Sequence, residues 1–108
     1  MNQQSSKKIA LVTGGGSGIG RSICLRLAKR NMHILVVDLN IDAANTVMQE
    51  INENGGSAQA FAVDVANHQQ VAELFATIKK HYAIDILINN AGIAHIGNIE
   101  NTTESDLD

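Results

Sequence analysis

Cysteine, tyrosine and positive charge are all scarce in this 108-residue chain, and each scarcity excludes something. A lone cysteine, Cys24, rules out an internal disulfide and suits a reducing compartment. The 8 Lys and Arg residues against 11 Asp and Glu leave a net charge of −3, with the lysines scattered, so nucleic acid is not an expected partner. No apolar run approaches the roughly 20 residues that span a bilayer, so no membrane partner is expected either. His33, His68 and His81 show no ligand spacing, and no metal is expected. Residues 1–7 are polar and lack the apolar core of a signal peptide; they read as a loose tail on a cytoplasmic protein. What is left, 44% hydrophobic, is an ordinary globular composition with length enough for one domain.

What the chain does have is one dense cluster of glycine, Thr13-Gly14-Gly15-Gly16-Ser17-Gly18-Ile19-Gly20. Ahead of it, residues 8–12 are a short apolar run of the kind that forms a fully buried strand. Behind it, residues 19–29 carry helix formers, with Ile19, Ile23 and Leu27 spaced four apart to make one buried helix face. A strand that enters a helix through such a turn aims backbone N–H groups and a positive helix end at one point, which suits a phosphate or pyrophosphate. Glycine keeps side chains out of the ligand's way and supplies positive φ where the turn needs it. A P-loop would close on Gly-Lys-Ser/Thr; here Gly20 is followed by Arg21 and Ser22, so that reading fails.

The pattern T-G-x-x-x-G-x-G, set by Thr13, Gly14, Gly18 and Gly20, resembles the cofactor loop of the short-chain dehydrogenase/reductase family, a branch of the Rossmann fold. A glycine-rich turn without a ligand looks the same locally, so the rest of the chain has to carry the match. Residues 33–38 read as a second buried strand ending in Asp38, 18 residues past Gly20 and near the offset of about 20 at which an acid meets the adenosine ribose. A carboxylate there accepts from both ribose hydroxyls and repels a 2′-phosphate. Neither Ser17 nor Leu39 is basic, so NAD is expected ahead of NADP. Asn40 is placed to cap a second helix with the stripe Ala44, Val47, Met48 and Ile51, which Asn54-Gly55-Gly56 ends. A third strand over residues 57–65 is expected to finish in Asp64-Val65, a pair that by resemblance contacts adenine. Asn67 caps a third helix, with Gln70 completing a capping-box pattern and Val71, Leu74, Phe75 and Ile78 forming its buried stripe. A fourth strand over residues 84–88 runs into Asn89-Asn90-Ala91-Gly92, which resembles the N-N-A-G hallmark of the same family. By that resemblance Asn90, Ala91 and Gly92 line the cofactor's ribose and nicotinamide side, while Asn89 holds the sheet's end together.

The resemblance spans residues 8–92 and implies an α/β fold of Rossmann type, a doubly wound parallel sheet in three layers with strand order 3-2-1-4. Gly14, Ser17, Gly18, Ile19 and Gly20 would ring the pyrophosphate. Residues 8–108 would be the N-terminal half of a dinucleotide-binding domain, truncated before the catalytic segment. The family transfers hydride between a nicotinamide ring and a carbonyl or alcohol carbon, using a tyrosine whose pKa is lowered by a lysine four residues on, and a serine. Here the sole tyrosine is Tyr82, four residues before Ile86 and in the turn ahead of the fourth strand, the wrong end of the sheet for catalysis. No catalytic residue is therefore assigned, and the family's set is expected after Asp108. A small carbonyl or alcohol substrate and a homo-oligomeric state are implied for the complete protein. His95 falls in a loop that borders the substrate pocket in relatives, although a solvated loop histidine is the plainer reading. Thr103-Glu104-Ser105-Asp106 offers a capping box for a further helix. Two other readings stay open: a nucleotide-binding module without redox chemistry, as a short product or decayed frame, and a methyltransferase, against which the N-N-A-G segment argues.

Overall fold

The computed structural model describes residues 7–91. Strands β1 (Ile9–Thr13), β2 (His33–Asp38), β3 (Ser57–Ala62) and β4 (Ile86–Asn89) alternate with helices α1 (Gly18–Lys29), α2 (Ile41–Glu53) and α3 (His68–Lys79). All three pairings are parallel and the order is β3-β2-β1-β4, as the sequence predicts. The expectations for residues 1–6, Gly92, His95 and the helix from Thr103 lie outside the described residues.

The layers follow from the apolar composition of the central strands. Residues alternate between the two faces of a strand, so a sheet covered on both sides needs apolar side chains at every position. Strands β1 and β2 meet that demand: Ala10, Val12, Ile34 and Val36 pack with Cys24 of α1 and with Ala44, Val47 and Ile51 of α2. Leu11, Leu35 and Val37 point the other way, onto Val71, Phe75 and Ile78 of α3. Helices α1 and α2 thus cover one face and α3 the other. Parallel strands require crossovers, which bring every strand's carboxyl end, and every following turn, to one edge.

Helix ends form where the sequence places them. Asn31 adopts φ 66° just past α1, its N–H donating to the Ala28 carbonyl at 3.0 Å. Gly55 does the same after α2 with φ 87°. Strand β4 begins at Ile86 rather than 84 and ends at Asn89, and three further local expectations differ. Strand β3 stops at Ala62 rather than 65, because the Val63 N–H turns to the Asp38 carbonyl and Asp64 accepts from Asn67 N–H to start a turn. Ile19 is 73% exposed, not on the buried face of α1. That face is Gly20 and Cys24, one turn apart, and at Gly20 the Gly14 carbonyl leaves no room for a side chain. Gln70 does not complete a capping box on Asn67; its Oε1 accepts the Asp64 N–H at 2.9 Å instead.

Candidate functional site

Thr13 is the last residue of β1 and is completely buried. Its hydroxyl donates to Asn89 Oδ1 at 2.9 Å and accepts the Ala91 N–H at 3.2 Å, tying the end of β1 to the turn after β4. From there the glycine turn crosses the carboxyl edge. Gly15 N–H donates to the Val37 carbonyl at 3.1 Å, and Asn90 Nδ2 donates to the Gly14 carbonyl at 3.2 Å. Gly20 closes the turn against its own start: a Cβ there would lie 2.0 Å from the Gly14 oxygen and 2.7 Å from Asn90 Nδ2. No side chain fits at Gly20. Gly18 has φ +57° with open space on its Cβ side, so only backbone conformation restricts it.

Ser17 sits at the N-cap of α1 in an extended conformation, and its side chain makes no capping hydrogen bond. By contrast, Asn40 and Asn67 accept first-turn N–H groups of α2 and α3 through their side chains. The first turn of α1 contains no acidic residue either. Helix geometry leaves the N–H groups of Gly18, Ile19 and Gly20 without intrahelical acceptors. This open, electropositive turn fits a pyrophosphate, and the shape of the glycine cradle admits its close approach.

Asp38 stands beside that turn at the end of β2. Its Oδ2 accepts the Gly16 N–H at 2.9 Å and its Oδ1 the Asn40 N–H at 3.0 Å, so both oxygens are oriented while each keeps a lone pair. One strand further out, Asp64 and Val65 lie half-buried in the turn after β3, with Asp64 Oδ1 accepting the Ala66 N–H at 2.9 Å. The structure therefore gathers Gly14, Ser17, Gly18, Ile19, Gly20, Asp38, Asp64, Val65, Asn90 and Ala91 along one edge of the sheet. Gly92 lies outside the described residues. Among the residues not singled out from sequence, Thr13 and Gly16 join the set through hydrogen bonds. Thr13 was inside the motif; no pattern marked Gly16 as the partner of Asp38.

Other polar features lie elsewhere. Tyr82 is at the amino edge, stacked on His33 with ring centroids 5.2 Å apart, and its hydroxyl donates to Gln59 Oε1. Burial pushes the His33 pKa below its ordinary value, against the Gln59 hydrogen bond that raises it, and nearby Lys7 lowers it further. Burial also pushes the Cys24 thiol up to about 12, which leaves it inert as a nucleophile. A groove between the ends of α1 and α2, lined by Leu25, Lys29, Glu50 and Asn54 among others, shares no residue with the carboxyl-edge constellation. Among the described residues no group of three His, Cys, Asp or Glu could hold a metal, and no helix is long and apolar enough to cross a membrane.

A strand-turn-helix anion cradle, an acid ending the next strand and an Asn-Ala turn after the fourth together define a dinucleotide-binding edge of Rossmann type. The family model described as short chain dehydrogenase matches residues 8–108, and the chain belongs to that family. It is 41% identical over 103 residues to elsinochrome reductase 1 of Elsinoe fawcettii, covering 94% of this chain and 39% of that protein. A metagenomic short-chain oxidoreductase in complex with NADP superimposes with TM-score 0.74 at 29% identity, over 80% of this chain and 39% of the other. An NAD+-bound xylitol dehydrogenase gives 0.72 at 33% identity, over 80% and 34%. The chain spans about two fifths of the length of the first of these relatives.

Proposed function

We propose that this chain supplies the cofactor-binding part of an NAD-dependent short-chain oxidoreductase acting on a small carbonyl or alcohol. The observation that carries the reading is the uncapped first turn of α1, open at the same edge as Asp38. The N–H groups of that turn, with Gly14, Ser17, Gly18, Ile19 and Gly20 around them, would bind the pyrophosphate. Asp38 would accept the adenosine ribose hydroxyls, Asp64 and Val65 would meet adenine, and Asn90, Ala91 and Gly92 would border the nicotinamide side. The bound nicotinamide supplies a site that gives or takes hydride, while the chain's own residues bind and orient it.

Support for NAD over NADP comes from the charge of Asp38 and the absence of a basic side chain at Ser17 and Leu39. Relatives of this fold are known with NADP and with NAD, so the choice rests on those residues. Proton transfer needs a tyrosine–lysine pair that this chain does not contain, and we place it, with the substrate-holding serine, in chain beyond Asp108. Residues 8–108 are then the N-terminal half of the domain. We further propose a cytoplasmic, homo-oligomeric enzyme, the reducing compartment being suited to the unpaired Cys24.

Calorimetric titration of the full-length protein with NAD and with NADP tests this. NAD should bind at least about tenfold more tightly, the equivalent of one charge-assisted hydrogen bond. Equal affinities would overturn the choice of cofactor, and binding of neither would overturn the function.

A further inference from the structure

An acid at the end of β2 discriminates against a 2′-phosphate only if it stays where the phosphate would sit. A carboxylate free to rotate could swing aside at little cost and admit the larger cofactor. Asp38 is not free in this way. Oδ2 is held by the Gly16 N–H at 2.9 Å from the glycine turn, and Oδ1 by the Asn40 N–H at 3.0 Å from the entrance to α2. Swinging aside would break two charge-assisted hydrogen bonds.

The two donors differ in what fixes them. Gly16 lies in the turn already anchored through the Gly15 N–H on Val37 and the Asn90 amide on Gly14. Asn40 is an exposed residue between a strand and a helix, and its backbone is fixed by the Ala44 N–H on its carbonyl at 3.1 Å together with its own side chain. Asn40 Oδ1 accepts the N–H groups of Asp42 at 2.9 Å and Ala43 at 3.2 Å, pinning the first turn of α2. Through that turn Ala43 reaches the glycine turn: a Cβ on Gly16 would lie 2.7 Å from the Ala43 Cβ and 2.9 Å from Asp38 Oδ2. The capping side chain, the Asn40 N–H, Asp38 and Gly16 therefore form one connected clamp.

We infer that Asn40 is a positioning residue for cofactor choice: its side-chain cap holds its own N–H against Asp38 and keeps that carboxylate in the path of a 2′-phosphate. This rests on the proposed contact of Asp38 with the adenosine ribose. The test measures NAD and NADP affinities by calorimetry in the full-length protein and four variants. Asp38→Ala should lower the preference for NAD more than about tenfold, the loss of one charge-assisted hydrogen bond. Asn40→Ala, which removes the cap, should lower it about fivefold. Asn40→Gly preserves the helix start at small cost but frees the backbone, and should lower the preference by a similar factor. Asn40→Ser keeps a cap without adding charge and should restore the parental preference.

A merely structural role for Asn40 would weaken both cofactors alike and leave the ratio unmoved. If both Asn40→Ala and Asn40→Gly keep the parental ratio while Asp38→Ala lowers it, the role of Asn40 is overturned and the Asp38 contact stands. An Asn40→Ser variant as indiscriminate as Asn40→Ala would also overturn it. An Asp38→Ala variant with the parental ratio would overturn the ribose contact and this inference together.

Discussion

Thr13 shows how a single buried hydroxyl can join two turns. Its replacement by valine keeps the shape but leaves the Ala91 N–H and Asn89 Oδ1 without the Thr13 hydroxyl. A cost of about 1–3 kcal/mol is expected, read as a lower urea midpoint with unchanged slope. Gly20 is less forgiving. A methyl group placed 2.0 Å from the Gly14 oxygen must push the turn apart. Gly20→Ala should destabilise by roughly 3 kcal/mol and abolish cofactor binding, whereas a well-folded variant that binds NAD normally would contradict the cradle geometry. His33 yields a pH prediction. Its folded pKa lies below its unfolded value of about 6.5, so the unfolded chain takes up the proton first as pH falls. The contribution of neutral His33 is complete above pH 6.5 or so and is lost as pH drops from there towards the folded pKa. Melting curves from pH 7.5 to 5 should fall less steeply for His33→Gln than for the parent; parallel slopes would remove His33 from the account.

At the scale of the elements, much was legible because local signals agreed with the global fold. The runs in β1 and β2, the stripes of α2 and α3, and the caps Asn40, Asn67 and Asn31 all report local energetics, and each element forms where they point. Sequence pattern and structure part where tertiary geometry decides. Ile19 fits a four-residue spacing, yet α1 approaches the sheet through Gly20 and Cys24, and helical periodicity does not say which of two neighbouring stripes is inward. The apolar alternation continues past Ala62 through Val63 and Val65, but β2 ends opposite Ala62 at Asp38, so the ladder has no further partner. Gln70 has the spacing of a capping box, and its amide instead meets the Asp64 N–H, a choice set by the turn between them. That contact predicts a linkage: Gln70→Ala should cost about 1 kcal/mol and loosen the turn carrying Asp64 and Val65, seen as faster amide exchange at Asp64. Unchanged exchange there would separate α3 from the site.

For the whole molecule, the sheet is asymmetric among the described residues. Strand β4 pairs with β1 alone, and Ile86, Leu87 and Ile88 remain only half-buried beside an open edge. An apolar edge of this kind templates further pairing. Residues 1–108 produced alone should therefore associate at micromolar concentration, and should transfer no hydride, since Tyr82 is held at the amino edge on His33 and Gln59. A monomeric, sharply melting and active product would refute the division of labour proposed between this chain and the catalytic segment. A narrower proposal underlies that division: the first turn of α1 would hold a pyrophosphate and Asp38 the ribose beside it. A crystal structure of the full-length protein grown with NAD tests it most directly. Phosphate oxygens should lie on the N–H groups of the Gly18–Gly20 turn and both ribose hydroxyls on Asp38. A cofactor bound with its phosphates away from that turn, or with Asp38 facing solvent, would contradict it.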